Sequence, residues 1–206
     1  MPRMDEVQGV VALGKLILNF AGVERATYRE DGKTRETDTD HTVMLGVIGC
    51  SIAAKLYPHL DLGKVAHYAL VHDLVEAYAG DTPTFNISPE SRADKERREK
   101  DALARIEKEF TVFPWLAETL LSYEDLADTE ARFIKTLDKC MPKITHILNK
   151  GASFKEIGGE REEMVAFFDR QHADLAGGYA KEFPELMVLI RTIMDITLEE
   201  CYPVSR

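Results

Sequence analysis

The ten-residue stretch HDLVEAYAGD, from His72 to Asp81, places four groups that titrate or bind metals among apolar neighbours. His72 and Asp73 are adjacent, and Glu76 and Asp81 follow within eight residues of Asp73. Burying such groups is unfavourable unless each of them has a partner. Imidazole and carboxylate groups both ligate divalent cations. The stretch therefore indicates metal chemistry.

The pattern around this stretch predicts a helix over about 62–77. The side chains on its inner face are spaced three or four residues apart: Leu62, Val65, Ala69, His72 and Glu76. Asp73 should lie about 100° round the helix from His72. Because this helix is apolar on every face, we expect it to be central and buried.

Two further predicted helices each carry an inward group that could bind the same cation. In the helix predicted over 129–148, Asp138 interrupts an apolar stripe. In the helix predicted over 40–57, His41 occupies the first turn of the apolar face. Together these helices offer a two-histidine, two-aspartate ligand set: His41, His72, Asp73 and Asp138.

Each of these residues also has a simpler interpretation. An inward histidine is often a hydrogen-bonded core residue, and Asp138 could pair with a neighbouring base. Asp81, between Gly80 and Thr82, could stabilise a turn. The spacing by itself leaves the metal site and these structural roles open.

Helical periodicity dominates the rest of the chain. It predicts further helices at about 5–20, 88–111, 115–127, 160–179 and 184–201. The one exception is a small hairpin near residues 27–37, where Asp31-Gly32 joins two short polar strands. We therefore predict an all-α fold in which residues 1–206 form a single helical domain.

The amino-acid composition of the chain limits the kinds of partner that we expect it to bind. The chain has 206 residues, of which 45% are hydrophobic, so it can build a real core. Its net charge of −10 argues against binding a nucleic acid polymer. No segment is apolar over the roughly 18 residues that a membrane helix needs. The three cysteines form no CxxC pair and are typical of reduced thiols, which predicts a cytoplasmic protein.

The same residues resemble the HD superfamily of metal-dependent phosphohydrolases. HDLVEAYAGDTPT (72–84) is similar to the HD-x-x-E-x-x-x-GD-x-P block of the YfbR-like 5′-deoxynucleotidases. ETDTDH (36–41) resembles the segment that carries that family's first histidine, and TLDK (136–139) resembles its last ligand segment. The resemblance is strongest over residues 10–150.

The resemblance implies a helical HD-domain bundle with one divalent cation, held by the four ligands named above. It also implies that Glu76 and Asp81 are catalytic acids, that the substrate is a nucleoside 5′-monophosphate, and that the protein is a homodimer. The family places an arginine that holds phosphate upstream of the first histidine. Arg25 and Arg35 are the favoured candidates for this role.

Several alternatives stay open. The arginines would equally serve a phosphodiesterase or a nucleoside triphosphate hydrolase, and a metal-dependent nucleotide sensor without turnover belongs to a different class. The presence of both Glu76 and Asp81 disfavours the sensor, because a pure binding site needs no acid–base pair. Nitrogen and oxygen ligands suit Mn, Co, Zn, Ni, Fe or Mg, so the metal's identity is also open.

Overall fold

Helices make up most of the fold, which confirms the predicted all-α class. A computed structural model describes residues 3–157 and 159–203. The helices in chain order are α1 (Met4–Ala21), α2 (Asp38–Leu56), α3 (Leu62–Val71), α4 (Glu76–Ala79), α5 (Pro89–Glu109), α6 (Pro114–Glu124), α7 (Thr129–Asp138), α8 (Met141–Leu148), α9 (Ala152–Ile157), α10 (Arg161–Gly177) and α11 (Pro184–Cys201). A short 3-10 turn spans Tyr179–Glu182. None of the described helices is long and apolar enough to cross a membrane.

The predicted hairpin is present between α1 and α2. Its strands β1 (Glu24–Tyr28) and β2 (Arg35–Thr37) pair in antiparallel fashion. At the turn, the Asp31 carboxylate accepts hydrogen bonds from the backbone N–H groups of the residues two and three positions further on. Gly32 adopts a φ of +64°, which glycine tolerates without steric strain. The Asp31-Gly32 signal therefore marked the turn correctly.

Helices α2, α3 and α7 pack together at the centre of the molecule. Their contact surfaces contain fully buried aliphatic side chains: Leu45, Val65, Ala69, Ile134 and Leu137. Gly49 of α2 allows a close approach, because a β-carbon there would lie only 3.1 Å from the Ile134 side chain. Since each predicted ligand comes from one of these helices or from the turn after α3, this packing determines the shape of the site.

The prediction of a single helix over 62–77 is wrong, because this segment forms two helices, α3 and α4. Between them the backbone hydrogen bonds run from residue i to i−3, as from Leu74 to Val71 and from Glu76 to Asp73. This tighter pattern replaces the α-helical one for a single turn. His72 and Asp73 therefore lie in a turn rather than on the face of a regular helix.

The helix predicted over 129–148 is likewise divided, into α7 and α8. Pro142 lacks a backbone N–H, so it cannot donate to the carbonyl of Asp138, four residues earlier. The chain turns at Lys139 and Cys140, and Pro142 then lies in the first turn of α8. As a consequence, Asp138 becomes the last residue of α7, at the edge of the core.

Candidate metal centre and active site

The four predicted ligands come together at the junction of α2, α3 and α7. The His41 Nε2 atom lies 2.9 Å from Asp138 Oδ1, and the His72 Nε2 atom lies 3.1 Å from Asp73 Oδ2. One donor atom from each of the four residues lies within 4.8 Å of the other three. Both histidines are buried. The donors thus surround one small space with two nitrogens and two carboxylate oxygens.

Helix caps fix the positions of two of the ligands, His41 and Asp138. Thr37 and Asp40 exchange side-chain hydrogen bonds with each other's backbone N–H, which starts α2 and places His41 in its first turn. Asp128 caps the start of α7 in a similar way, by accepting from the Ala131 backbone N–H. Asp138 then lies near the opposite end of that helix.

The His72 ring is oriented as a metal ligand requires. Its Nδ1 atom lies 2.9 Å from the carbonyl oxygen of Ala69 and donates a hydrogen bond to it. The proton therefore sits on Nδ1, and the lone pair of Nε2 faces the carboxylates of Asp73 and Asp138. Nε2 is buried and has no hydrogen-bond partner among the described residues. A divalent cation would satisfy this atom, so the residues present fit a metal.

A second group of acids surrounds Arg25, which comes from β1. The Arg25 Nη1 atom lies 3.0 Å from Asp38 Oδ1, 3.2 Å from Asp73 Oδ2 and 3.9 Å from Glu76 Oε2. Asp38 is completely buried. Sequence reasoning missed Asp38, although it lies three residues before His41 and so faces the same side of α2.

Glu76 and Asp81 lie beside this group, on α4 and on the segment that follows it. Glu76 is buried, and burial together with the charges of Asp73 and Asp81 raises its pKa to about 10. Burial also raises the pKa of Asp81. Gly80 separates the two acids at a φ of +73°, and this left-handed conformation turns the chain so that Asp81 lines the same cavity.

Two lysines add positive charge next to the acids. Lys139 Nζ lies 2.7 Å from Asp138 Oδ2, and Lys95 Nζ lies 3.4 Å from Glu76 Oε1. Lys95 belongs to the basic run RADKERREK (92–100) on α5. At least this member of the run faces the cavity.

Arg35 is not brought together with the other candidate residues. Its guanidinium donates to the carboxylate of Glu156 at 2.9 Å and to the carbonyl of Ala26 at 2.7 Å. It also stacks 4.0 Å above the ring of Tyr28. Arg25 lines the cavity, whereas Arg35 is not among the residues that line it.

Most of these groups open into one cavity of about 490 Å³, whereas Asp38, His41, His72 and Arg35 are not among the residues that line it. The polar part of its lining includes Arg25, Asp73, Glu76 and Asp138. A second part is aromatic and is lined by residues that sequence reasoning did not single out: Phe85, Lys143, His146, Phe154, Phe167, Phe168 and Gln171. The volume suits a small organic molecule.

Comparisons with known proteins agree with this architecture. A family profile described as HD domain matches residues 21–179. The chain is 25% identical over 158 residues to the 5′-deoxynucleotidase HDDC2 of Bos taurus and 27% identical over 158 residues to its Homo sapiens counterpart. Each match covers 75% of this chain and 69% of the relative.

A third relative, the 5′-deoxynucleotidase hdd1 of Schizosaccharomyces pombe, is 29% identical over 111 residues, which cover 50% of this chain and 53% of the relative. Among solved structures, a predicted metal-dependent phosphohydrolase from Magnetospirillum magnetotacticum MS-1 superposes with a TM-score of 0.73. That match covers 98% of this chain and 97% of the phosphohydrolase chain at 24% identity, so it supports the assignment of the fold alone.

Proposed function

We propose that this chain, which belongs to the HD-domain family, is a metal-dependent phosphohydrolase. Its proposed substrates are nucleoside 5′-monophosphates, and it favours deoxyribonucleotides. The observation that carries the proposal is the four-ligand cluster, which adjoins two acids with raised pKa values in one cavity. The relatives named 5′-deoxynucleotidase support the choice of substrate.

In this proposal His41, His72, Asp73 and Asp138 hold one divalent cation. When bound, the cation supplies Lewis acidity, which neutralises charge on a phosphoryl oxygen and makes a water molecule more acidic. The mixed nitrogen and oxygen donors suit Mn, Co, Zn, Ni, Fe or Mg.

Arg25 is the proposed clamp for the substrate's phosphate. Among the described residues, its Nη1 atom makes the hydrogen bonds to Asp38 and Asp73. The rest of its guanidinium is therefore available to a phosphoryl oxygen, and these acids fix its position in advance. Lys139 adds a second positive charge to the lining of the same cavity.

Glu76 and Asp81 form the proposed acid–base pair. Hydrolysis requires that one group accept a proton from the attacking water and that another give a proton to the leaving 5′-oxygen. The carboxylate of Asp81 contributes to the raised pKa of Glu76, so Glu76 retains a proton more readily than an isolated carboxyl group. Either acid could fill either role.

The substrate class is tested by a screen for released phosphate. Deoxyribonucleoside 5′-monophosphates are expected to be hydrolysed with added Mn or Co, and ribonucleoside 5′-monophosphates more slowly. Cyclic nucleotides, 3′-monophosphates and triphosphates should be slow. The same screen with a chelator is the control. Faster turnover of a cyclic diester or a triphosphate would favour the phosphodiesterase or triphosphatase alternative, and binding without turnover would favour the sensor.

Substitutions of the arginines in the hairpin region test which of them holds the phosphate. Arg25→Ala is expected to reduce kcat/KM by about tenfold to a hundredfold, the range for losing a hydrogen bond to a charged group. Arg29→Ala is the matched control, because Arg29 lies on the same hairpin and pairs with Asp40 at the surface. Arg35→Ala, measured in parallel, should have the smaller effect. A larger loss of kcat/KM in Arg35→Ala than in Arg25→Ala would show that Arg35, rather than Arg25, holds the phosphate.

We also propose a homodimer, one domain over residues 1–206, and a cytoplasmic location. Exposed apolar side chains support the dimer, because they concentrate on the neighbouring helices α1, α2 and α3: Val10, Val11, Leu18, Val43, Val47 and Leu70. Light scattering on the purified protein measures the oligomeric state, and a monomer would contradict the dimer.

The cysteines support the proposed cytoplasmic location, because the free thiols of Cys140 and Cys201 suit a reducing compartment.

A further inference from the structure

The aromatic part of the cavity is built mainly by helices α8, α9 and α10. The rings of Phe85 and Phe167 meet edge to face at 5.3 Å, and the ring of His146 lies 3.9 Å from that of Phe154. Burial lowers the pKa of His146 to about 3, so its ring is neutral and packs as another flat surface. Such walls suit a planar heteroaromatic ring.

A buried cation lies within these aromatic walls. Lys143 is only 4% exposed, and its Nζ lies 5.2 Å from the centre of the Phe168 ring. Burial lowers its pKa to about 8, so the amine remains mostly protonated at neutral pH. Among the described residues no carboxylate lies within ion-pair distance of it, and its partners are the carbonyl of Lys139 at 2.6 Å and the side-chain oxygen of Gln171. An ammonium group has three N–H bonds, so one remains for a ligand.

Gln171 supplies a second donor next to the first. Its Oε1 atom accepts from Lys143, and the amide nitrogen beside it can only donate, so this nitrogen is the second donor. Lys143 and Gln171 both line the cavity. The aromatic part therefore presents two neighbouring donors between flat apolar walls.

We infer that this part of the cavity binds the nucleobase and selects bases that present a carbonyl oxygen to Lys143 and Gln171. The inference rests on the proposed function, which it deepens by naming the favoured bases. A 6-keto purine offers two adjacent acceptors, O6 and N7, to these two donors. Adenine presents an amino group in place of O6, and this donor would face the ammonium group without an acceptor.

The alternative occupant is a second anionic group, such as another phosphate. Lys143 would attract such a group, but the neighbouring surfaces are the rings of Phe85, Phe154, Phe167 and Phe168. An anion there would lose its hydration to apolar neighbours, which is unfavourable. A neutral carbonyl oxygen on a planar ring avoids this loss, because the ring itself stacks on the phenyl groups.

The test compares deoxyinosine and deoxyadenosine 5′-monophosphates, which differ at the 6-position of the base and in the proton on N1. The wild-type protein should favour deoxyinosine monophosphate by about tenfold in kcat/KM, as expected for a hydrogen bond to a charged group. Lys143→Met keeps most of the length of the side chain and its apolar stem but removes the charge, and it should reduce the preference to about twofold or less. The base-free substrate 2-deoxyribose 5-phosphate should be hydrolysed at the wild-type rate by this variant.

Two further variants keep the test decisive. Lys155→Met makes the same change at an exposed position outside the cavity and should leave the preference intact. Gln171→Met removes the amide donor from a half-buried position, so it is informative even if Lys143→Met fails to fold. It should also weaken the preference for deoxyinosine monophosphate.

Calorimetric binding of the two nucleotides to the wild-type protein separates this inference from the proposed function. If phosphate is released but both nucleotides react and bind equally, the inference is overturned and the proposed function stands. If no substrate turns over, yet deoxyinosine monophosphate binds more tightly and Lys143→Met removes the difference, the proposed function fails and the inference holds. If neither nucleotide binds, both are overturned.

Discussion

Replacing Asp138 with alanine is expected to reduce phosphate release by about a thousandfold, the scale on which losing one preorganised electrostatic group can act. Asp138 Oδ1 lies 2.9 Å from the Nε2 of His41 and 3.7 Å from that of His72. Asp138 therefore lies close to both histidines, as Asp73 also does. Without it, the cluster retains a single carboxylate, Asp73, and the affinity for a divalent cation should fall.

Two measurements check this prediction together. Elemental analysis of protein purified without chelator should show about one metal ion per wild-type chain and less in Asp138→Ala. Asp101→Ala removes an exposed carboxylate on α5 and should change neither metal content nor turnover. Full metal retention by Asp138→Ala would remove Asp138 from the proposed ligand set.

Replacing Glu76 with glutamine should lower kcat by about a hundredfold to ten-thousandfold, the usual range for a general acid–base group. Glutamine keeps the shape of the side chain and can still hydrogen-bond Lys95, but it cannot transfer a proton. Because Glu76 is not a proposed ligand, the metal content should stay at the wild-type level.

The chain offers a matched control in Glu99→Gln. Lys95 contacts the carboxylates of both Glu76 and Glu99. Glu99→Gln therefore removes a charge from the same lysine without touching the proposed acid–base pair, and its turnover should be close to wild type. If Glu76→Gln loses metal, Glu76 is a ligand rather than a proton-transfer group. If Glu76→Gln turns over normally, the acid–base role lies elsewhere.

Residue type and spacing predicted which side chains would point inward, and the resemblance to the HD superfamily implied that four of them share one cation. His41 and Asp138 interrupt apolar stripes, and a polar group within a stripe must point into the interior. The helix boundaries between them were less predictable. The break after Val71 depends on hydrogen bonds between i and i−3, which the apolar pattern of 62–77 does not reveal.

The aromatic part of the cavity could not be predicted, because it depends on tertiary packing. Phe154, Phe167 and Phe168 have the spacing of ordinary core residues, and only their position around the cavity distinguishes them. Lys143 was a signal that could have been used, since it lies within the mainly apolar segment MPKITHIL. Arg25 and Arg35 were equivalent in sequence. The structure separates them, because β1 directs Arg25 into the acids while Arg35 pairs with Glu156.

The cavity takes its two linings largely from different stretches of the chain. The four proposed ligands all precede Lys139, whereas Lys143, Phe154, Phe167 and Gln171 follow it. Selectivity could therefore be redesigned, or diverge during evolution, by exchanging residues after position 140 without altering the residues proposed to perform the chemistry. A chimaera in which residues 141–178 of this chain are replaced by the corresponding segment of a homologue should show the base preference of that homologue. Its metal ligands and acid–base pair would still be those of this chain.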